Sequence, residues 1–321
     1  MNFVSFLVFV VLQILFVPLA IFGVVLTGYR QLVVSKKLGT SQTAIEILNG
    51  RWTMHIFEMR EDDSAARVAS VLPNTSTFGL WLCLFPLWAK YKISGNYFGY
   101  PRIPEEGEEV LTDVVMARTI YFDRIIDRAL DAVDQFVVMG AGFDTRAYGA
   151  LEREGIAYFE LDQPAVQALK LDGLRDGGVD ASHVTFVEID FSEEDVFEKL
   201  KSRGYDPSRK TLFLWEGVTL YLSEGDVRKT LQSIREGAAP GSVVVADIYS
   251  EDFVQDSFGK VAKKTLDYTD EAFRFGLPFE TDYRDQLERF LESEGMKLGE
   301  CHFMGYKSDK GPFVVVAESL V

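Results

Sequence analysis

A glycine-rich turn and a downstream aspartate are the residues of this chain best suited to chemistry. Residues 140–146 read GAGFDTR and follow the short apolar run QFVVM at 135–139. Because Gly140 and Gly142 lack a Cβ atom, the backbone can turn sharply there and let a ligand approach closely. Asp162 ends the run AYFELD, 20 positions after Gly142 (162 − 142). At that spacing a carboxylate can take the hydroxyls of a ribose, so the pattern predicts a site for an adenosine-containing cofactor.

The residues that follow the second glycine indicate which cofactor this is. A dinucleotide-binding turn has a third glycine three positions after Gly142, where this chain has Thr145. The carboxylate of Asp144 would repel a pyrophosphate. Both features disfavour NAD and FAD and favour S-adenosylmethionine, which has no phosphate and carries an ammonium group. The alternative is that GAG is only a tight turn between a strand and a helix.

Five motifs in order extend this pattern: ARTIYFD (117–123), GAGFDTR (140–146), FELDQP (159–164), VEIDF (187–191) and WEGVTLYL (215–222). The set resembles the leucine carboxyl methyltransferase family of S-adenosylmethionine-dependent enzymes, in particular its bacterial O-methyltransferase-like branch. The resemblance is best over residues 110–250. It implies methyl transfer from S-adenosylmethionine to a small acceptor, through a carboxylate, hydroxyl or thiol. Because members differ in their substrates, the resemblance does not identify the acceptor.

The motifs fall after strands, where ligands of such sheets bind. We expect Gly140 and Gly142 to pass beneath the methionine portion of the cofactor and Asp162 to take the ribose hydroxyls. Asp190 is expected to accept from the adenine amino group, with Phe191 packing near the ring. A role in helix capping is the alternative for Asp190.

Three further residues are expected near the methionine portion. Arg118 resembles the family arginine that grips the carboxylate, which a guanidinium can do with two parallel bonds; a surface ion pair is its alternative. Asp144 is expected to hold the ammonium, directly or through water, with an N-cap as its alternative. Glu216 matches an acidic position of the family near the cofactor. Arg146 is expected to pair with a carboxylate.

No residue of the sequence identifies itself as a catalytic base. A hydroxyl acceptor needs one, whereas a carboxylate or thiolate does not. Tyr221 and His55 are weak candidates, each with a structural role as the alternative. The three histidines are scattered without ligand spacing, so no metal site is expected.

Composition narrows the class of protein. The chain has 321 residues, a formal net charge of −16 and a pI near 4.7. Such a surface repels phosphates, so no nucleic-acid partner is expected. Its two cysteines give no disulfide framework and indicate a reducing compartment. Nothing in the sequence indicates the oligomeric state.

The N-terminus predicts membrane attachment. Residues 3–27 carry no charge and are long enough as a helix to cross a bilayer. Basic residues follow this run at Arg30, Lys36 and Lys37 and none precede it, which predicts a single-pass anchor with the catalytic domain in the cytoplasm. A cleaved signal peptide is the alternative. A second apolar stretch, 78–88, is read either as a core segment or as a surface that meets the membrane or lines a pocket for a lipophilic acceptor.

Alternating strands and helices predict the fold class. The expected strands are 135–139, 156–161, 184–189, 211–215, 242–248, 299–304 and 312–318. Helices are expected at 42–60, 61–72, 112–131, 144–153, 164–174, 192–203, 224–237 and 281–295. A short loop at 307–311 is expected to join the last two strands, and residues 250–280 are expected to form an insertion over the active-site edge. This order predicts a doubly wound, mostly parallel, seven-stranded Rossmann-like methyltransferase sheet with an antiparallel last strand, together with an N-terminal transmembrane helix. The expected domains are an anchor (1–29), a helical cap (30–110) and a cofactor-binding domain (111–321).

The sequence favours a membrane-anchored S-adenosylmethionine-dependent methyltransferase that acts on a small, lipophilic acceptor. A nicotinamide- or flavin-dependent oxidoreductase on a similar sheet is one alternative, disfavoured by Asp144 and Thr145. A membrane-tethered protein that binds the cofactor but has lost catalysis is the other.

Overall fold

The computed structural model describes residues 3–149, 151–191, 193–256, 268, 272–280, 282–305 and 312–321. Its contacts divide the chain into two units. The helical unit comprises Met1–Ile103, Phe143–Ala150 and Ala168–Asp180, and the sheet unit comprises Pro104–Gly142, Leu151–Gln167 and Ala181–Val321. The chain therefore passes from the sheet unit to the helical unit directly after the GAG turn.

A seven-stranded mixed sheet is the centre of the sheet unit. Its strands are β1 (Gln135–Met139), β2 (Ala157–Asp162), β3 (Val184–Glu188), β4 (Thr211–Trp215), β5 (Val243–Tyr249), β6 (Lys297–Met304) and β7 (Val314–Leu320). They lie in the order β3-β2-β1-β4-β5-β7-β6. β1 to β5 pair in parallel, and β7 runs antiparallel between β5 and β6. The predicted mixed sheet with its antiparallel last strand is confirmed.

The strands form where the sequence is continuously apolar. Every residue of β1, β4 and β5 is buried. Strands covered on both faces have such continuous runs instead of an alternating pattern. Because parallel neighbours place their carboxyl ends at one edge, the residues that follow β1, β2, β3 and β4 meet at the same edge of the sheet.

The helices after the N-terminal region are α6 (Val114–Leu130), α7 (Pro164–Asp176), α8 (Val196–Ser202), α9 (Glu224–Gly237), α10 (Glu251–Asp256) and α11 (Tyr283–Ser293). α9 shows why these segments are helical. Ser223 caps its first turn by accepting from the N–H of Asp226, and Val227, Leu231 and Ile234 bury one face.

One predicted helix is wrong. Residues 144–153 were expected to continue as a helix after the GAG turn, but the described residues of this range, 144–149 and 151–153, form only the 3₁₀ turn Arg146–Tyr148. The Oδ1 atom of Asp144 accepts from the N–H of Arg146, and its carboxylate also binds the side chains of Arg51 and Arg146. These buried contacts hold the segment within the helical unit and override its helical propensity.

Five helices precede the sheet unit: α1 (Phe3–Gly28), α2 (Ser35–Leu38), α3 (Gln42–Ile56), α4 (Asp63–Val71) and α5 (Thr77–Ser94). A π-helical turn, Tyr29–Val34, joins α1 to α2. The helical run Val4–Leu38 contains an 18-residue stretch with a mean hydropathy of 2.8, and only 6% of the residues in that stretch are buried. This helix is long and apolar enough to cross a membrane. Signal sequences and the core helices of soluble proteins can have the same length and composition. The apolar stretch 78–88 lies within α5.

Two predicted features lie outside the described residues. The loop expected at 307–311 between the last two strands is one. Most of the insertion expected at 250–280 is the other, although α10 and residues 272–280 belong to it and are described. The isolated bridge between Ser250 and Leu277 joins these two described parts.

Candidate functional site

The turn after β1 and the tip of β2 are joined directly. The backbone N–H of Gly142 donates to Oδ2 of Asp162 at 2.6 Å, and Oδ1 of the same carboxylate accepts from the N–H of Gln163 at 2.7 Å. Asp162 is half-buried at the edge of the sheet. The structure therefore brings together the two parts of the pattern from which the sequence predicted a cofactor site.

Gly140 is a position where only glycine fits. Its φ angle is +67°, which L side chains rarely adopt, and a Cβ atom there would lie 2.6 Å from Cγ2 of Val218. Gly142 also has a positive φ, +46°. The turn after β1 thus lies close against the segment that follows β4.

Arg118 lies at the centre of a buried polar network. Its Nη1 atom donates to Oδ2 of Asp247 at 2.8 Å and to the hydroxyl of Tyr249, and its Nη2 atom lies 3.4 Å from Oε1 of Glu216. The hydroxyl of Tyr249 in turn donates to Asp247. The backbone N–H of Gly217 donates to both carboxylate oxygens of Asp247, at 2.9 and 3.1 Å. The network links α6, β5 and the residues after β4.

The charges of this network shift its pKa values. Burial alone would lower the pKa of Arg118, but Tyr249, Asp247 and Glu216 outweigh it and raise that pKa, so the guanidinium stays a cation. Burial raises the pKa of Asp247 and, to a larger extent, that of Tyr249. The described part of this network places the carboxylates of Asp247 and Glu216 at the guanidinium of Arg118, and among the described residues Nε of Arg118 has no hydrogen-bond partner.

Asp190 and Phe191 follow β3 at the same edge. The carbonyl oxygen of Asp190 accepts from the N–H groups of Glu193 and Glu194 in a turn, and both Asp190 and Phe191 are half-buried. Phe191 packs against the apolar core of the sheet unit. Asp195, not Asp190, is the residue that caps α8, because its side chain accepts from the N–H of Glu198.

Asp144 lies in the helical unit, where its charge is already opposed. Its Oδ2 atom is 2.8 Å from Nη2 of Arg51 and 2.5 Å from Nη1 of Arg146. Burial alone would raise the pKa of Asp144, but Arg51, Arg146 and Lys170 outweigh it and lower that pKa well below its usual range. Arg146 has the carboxylate partner that the sequence predicted. The ammonium contact of Asp144 stays a prediction.

The two weak candidates for a base lie in different units. Tyr221 ends a 3₁₀ turn after β4, and its ring packs edge-on against Phe273 at 5.3 Å. His55 lies near the end of α3, and its Nδ1 atom accepts from the N–H of Asp62 at the start of α4. Accepting at Nδ1 gives His55 a structural part in that turn. The catalytic roles of both residues stay predictions.

Sequence reasoning missed Asp247 and Tyr249. Both lie within β5, in the apolar run VVVADIY, and are buried. A carboxylate inside a strand that is otherwise apolar needs a charged or hydrogen-bonding partner, and that requirement is the signal by which Asp247 could have been found.

Comparisons with known proteins agree with the motifs. A profile of the leucine carboxyl methyltransferase family matches residues 94–235. A protein of Mycobacteroides abscessus, provisionally named an S-adenosyl-L-methionine-dependent methyltransferase, is 34% identical over 159 residues, which cover 49% of this chain and 52% of that protein. The chain thus spans about half the length of that curated relative.

A longer match is found in Mycolicibacterium smegmatis. That protein, with the same provisional name, is 30% identical over 220 residues, which cover 64% of this chain and 71% of the relative. The crystal structure of a DUF574 family protein from Streptomyces avermitilis has a TM-score of 0.48 at 16% identity, over 64% of this chain and 83% of that one. The family predicted from the motifs is confirmed by the sequence matches: the chain belongs to the leucine carboxyl methyltransferase family.

Proposed function

We propose that this protein is a methyltransferase that binds S-adenosylmethionine at the carboxyl edge of β1 to β4. The observation that carries the proposal is the hydrogen bond from the Gly142 N–H to Asp162. It assembles the glycine turn and the acidic strand tip of the family motifs into one site. The methyltransferase names of the sequence relatives support the same activity.

The adenosine part of the cofactor is assigned to the first three strands. Asp162 would take the ribose hydroxyls, and the turn at Gly140 and Gly142 would pass beneath the methionine portion. Asp190 would accept from the adenine amino group, with Phe191 near the ring. The lack of a side chain at Gly140 suits this arrangement, because a side chain there would fill the space next to Val218.

The methionine end is assigned to the Arg118 network. Arg118 has a buried Nε–H that an anionic ligand group can use, and a guanidinium suits a carboxylate. Asp247 and Glu216 bring two carboxylates to the same guanidinium. A guanidinium beside carboxylates suits a ligand end that carries one carboxylate, one ammonium and one sulfonium. We place Glu216 before Asp144 as the partner of the ammonium, because two guanidinium groups already oppose the charge of Asp144.

S-adenosylmethionine, when bound, supplies an electrophilic methyl group on a sulfonium. The role of the protein is to align the acceptor with that methyl group. Such alignment can lower the activation barrier by up to about 7–11 kcal/mol. A carboxylate or thiolate acceptor needs no base, and for a hydroxyl acceptor we keep Tyr221 as the first residue to test, because it follows β4 at the same edge as Glu216.

We also propose that the protein attaches to the membrane through α1, with the sheet unit on the cytoplasmic side and a small, lipophilic acceptor drawn from the bilayer. The uncharged helix Phe3–Gly28 and the basic residues after it support attachment and sidedness. The functional division into an anchor (1–29), a cap (30–110) and a catalytic domain (111–321) is part of this proposal.

Calorimetry on the full-length protein in detergent tests the cofactor. S-adenosylhomocysteine is expected to bind and NADH is not; NADH binding without a response to S-adenosylhomocysteine would favour an oxidoreductase. A screen of lipophilic acids, phenols and thiols with methyl-labelled S-adenosylmethionine then tests transfer. Binding without transfer to any acceptor class would favour a protein that has kept the cofactor fold and lost catalysis.

A further inference from the structure

α1 and α5 form an antiparallel pair along most of their length. Gly23 lies against Gly79: a Cβ atom on Gly23 would be 2.5 Å from the carbonyl oxygen of Gly79. Nearer the middle of α1, Phe16 stacks on Phe85 at 5.0 Å between ring centroids. Near its beginning, Phe9 lies 5.2 Å from Phe98, just beyond the end of α5. As the number of the α1 residue falls, the number of its partner rises.

The opposite side of α5 packs on α3 and the residues after it. The rings of Trp81 and Trp52 meet edge to face at 5.6 Å, and Nε1 of Trp88 donates to the carbonyl oxygen of Ile56 at 3.2 Å. Lys92 forms an ion pair with Glu58. At 100° per residue, Trp81, Trp88 and Lys92 lie about 180° around the helix from Gly79. α5 therefore lies between α1 and α3.

The position of α3 limits where lipid can reach α1. α3 carries Arg51, whose guanidinium is buried in an ion pair with Asp144, and it packs against α4 in the core of the helical unit. Charged groups of this kind are costly in hydrocarbon. A helix that crosses a bilayer by itself is surrounded by lipid or by other apolar segments over about 20 residues. Here α5, and behind it α3 with its buried Arg51, flank α1 on one side, so lipid can cover only the other side.

The outer side of α1 is a continuous apolar surface. Its exposed residues include Val4, Leu7, Val11, Ile14, Leu15, Ile21, Val24 and Val25. They extend over about 32 Å of helix at ~1.5 Å per residue. An exposed apolar surface of this length marks an interaction site.

The charges near this surface identify its partner. The first 45 residues contain three basic residues, Arg30, Lys36 and Lys37, and the first acidic residue is Glu46. The whole chain, in contrast, has a net charge of −16. A segment with this local excess of positive charge is attracted to anionic phospholipid headgroups, whereas a second copy of an acidic chain is repelled.

We propose that α1 lies in the plane of the cytoplasmic leaflet, with its outer side in the acyl region and its inner side on α5, and does not cross the bilayer. Lys36 and Lys37, which are exposed, then meet anionic headgroups at the end of the same embedded surface, whereas Nη1 of Arg30 donates to the carbonyl oxygen of Thr75. The protein would be monotopic, with both ends of its chain on the cytoplasmic side. This inference rests on the proposed membrane attachment, and recovery of the full-length protein in the membrane fraction tests that attachment by itself.

The side of the membrane on which the N-terminus lies decides whether α1 lies in the plane of one leaflet or crosses the bilayer. In a background of Cys83→Ala and Cys301→Ser, Asn2→Cys reports the N-terminus, and Lys36→Cys is the matched control. We expect a membrane-impermeant maleimide to label both thiols in inside-out vesicles and neither in intact spheroplasts. Labelling of Asn2→Cys from outside, with Lys36→Cys still labelled only from inside, would establish a single-pass anchor and overturn the proposal.

Cross-linking tests the pairing of α1 with α5. Sγ of Cys83 lies 3.5 Å from the carbonyl oxygen of Ala20, so Ala20→Cys is expected to form a disulfide with native Cys83 under mild oxidation in membranes. Ile21→Cys, whose side chain is 63% exposed on the outer side, is the control and should form none. Equal cross-linking of the two variants would contradict the packing from which the proposal starts.

Vesicle binding tests whether anionic phospholipid is the partner of the outer side of α1. The purified full-length protein is expected to bind vesicles that contain phosphatidylglycerol several-fold more tightly than neutral ones, and Lys36→Gln with Lys37→Gln should reduce that preference. If Ile21→Cys instead cross-links two copies and the protein ignores vesicles, the surface is a contact between copies and the proposal is wrong.

Discussion

The carboxylate of Asp162 accepts a 2.6 Å hydrogen bond from the backbone N–H of Gly142, so the tip of β2 holds the turn that follows β1. The same carboxylate is the proposed acceptor of the ribose hydroxyls. One side chain would therefore both shape the turn and bind the cofactor. Substitutions at this position should separate the two tasks, because an amide oxygen can keep the contact to Gly142 without the charge.

Asp162→Ala should weaken S-adenosylhomocysteine binding by about 2–4 kcal/mol, since hydrogen bonds to charged groups are worth ~1.5–3 kcal/mol each. Asp162→Asn should lose less, because it keeps an acceptor. Calorimetry on the folded proteins measures both. Asp172→Ala, at an exposed position of α7, is the control and should bind as the wild type does. Affinities that are the same in all four proteins would remove Asp162 from the site.

Arg118→Met should change ligand preference as well as affinity. If the guanidinium takes the methionine carboxylate, the loss of S-adenosylhomocysteine binding should exceed the loss of adenosine binding by about tenfold or more, because a charged hydrogen bond is worth ~1.5–3 kcal/mol. Adenosine lacks the carboxylate and reports any general disturbance of the site. An equal loss for both ligands would show that Arg118 acts only through the structure around it.

The same arginine should couple strongly to Asp247. Arg118→Met removes the cation that lies 2.8 Å from the buried carboxylate of Asp247, and such a loss costs about 3–5 kcal/mol of unfolding free energy. Asp247→Asn removes the charge of that carboxylate. The double variant should therefore be less destabilised than the sum of the two single variants by more than about 0.5 kcal/mol, as found for residues in one network. Denaturant unfolding of the wild type, the two single variants and the double variant measures this double-mutant cycle. If the losses of unfolding free energy were strictly additive, they would contradict the network.

Strands were the most predictable part of the fold. β1 and β4 occur at the predicted residues, because a parallel strand covered on both faces is a short, continuous apolar run with polar residues at its ends. Asp162 was found for the same reason, since it ends such a run. Asp247 was missed because it lies inside one, where a search for residues after strands does not look.

Helical segments were less predictable where distant contacts decide. Nothing local to residues 144–153 shows that Asp144 binds Arg51, a residue 93 positions away, in place of starting a helix. The α1–α5 pair has the same origin. Gly23 and Gly79 are single glycines in unrelated segments, and only their close approach gives them meaning. Hydropathy alone indicates a membrane segment and says nothing of how it packs.

Gly140→Ala should destabilise the protein through two separable effects. The φ angle of +67° costs a residue with a Cβ about 1–2 kcal/mol. The contact with Val218 adds about 1–3 kcal/mol of overpacking. Val218→Ala in the Gly140→Ala background should remove the second effect and leave the first. Gly225→Ala, in the first turn of α9, should be neutral or slightly stabilising and is the control, because its Cβ atom would make only an ordinary contact of 3.7 Å with Oγ of Ser223.

Asp144 should make the free energy of unfolding depend on pH in the acid range. Arg51, Arg146 and Lys170 hold its folded pKa below the unfolded value of about 3.9. A depressed folded pKa means that the stabilisation is present above the unfolded pKa and is lost as the pH falls through the folded one. The contribution should be intact from pH 7 to about 5 and should decline below about pH 4.

Asp144→Asn tests this contribution directly, because it removes the carboxylate charge that lies against the buried guanidinium groups of Arg51 and Arg146. We expect a loss of about 3–5 kcal/mol at pH 7 that shrinks as the pH falls below about 4, where the wild type loses the same interaction. Denaturant unfolding at several pH values measures it. Asp176→Asn, which breaks an exposed ion pair with Arg175, should cost no more than about 0.5 kcal/mol at any pH and is the control. A gap between wild type and Asp144→Asn that is as large at pH 3 as at pH 7 would show that the charge of Asp144 is not what stabilises this segment.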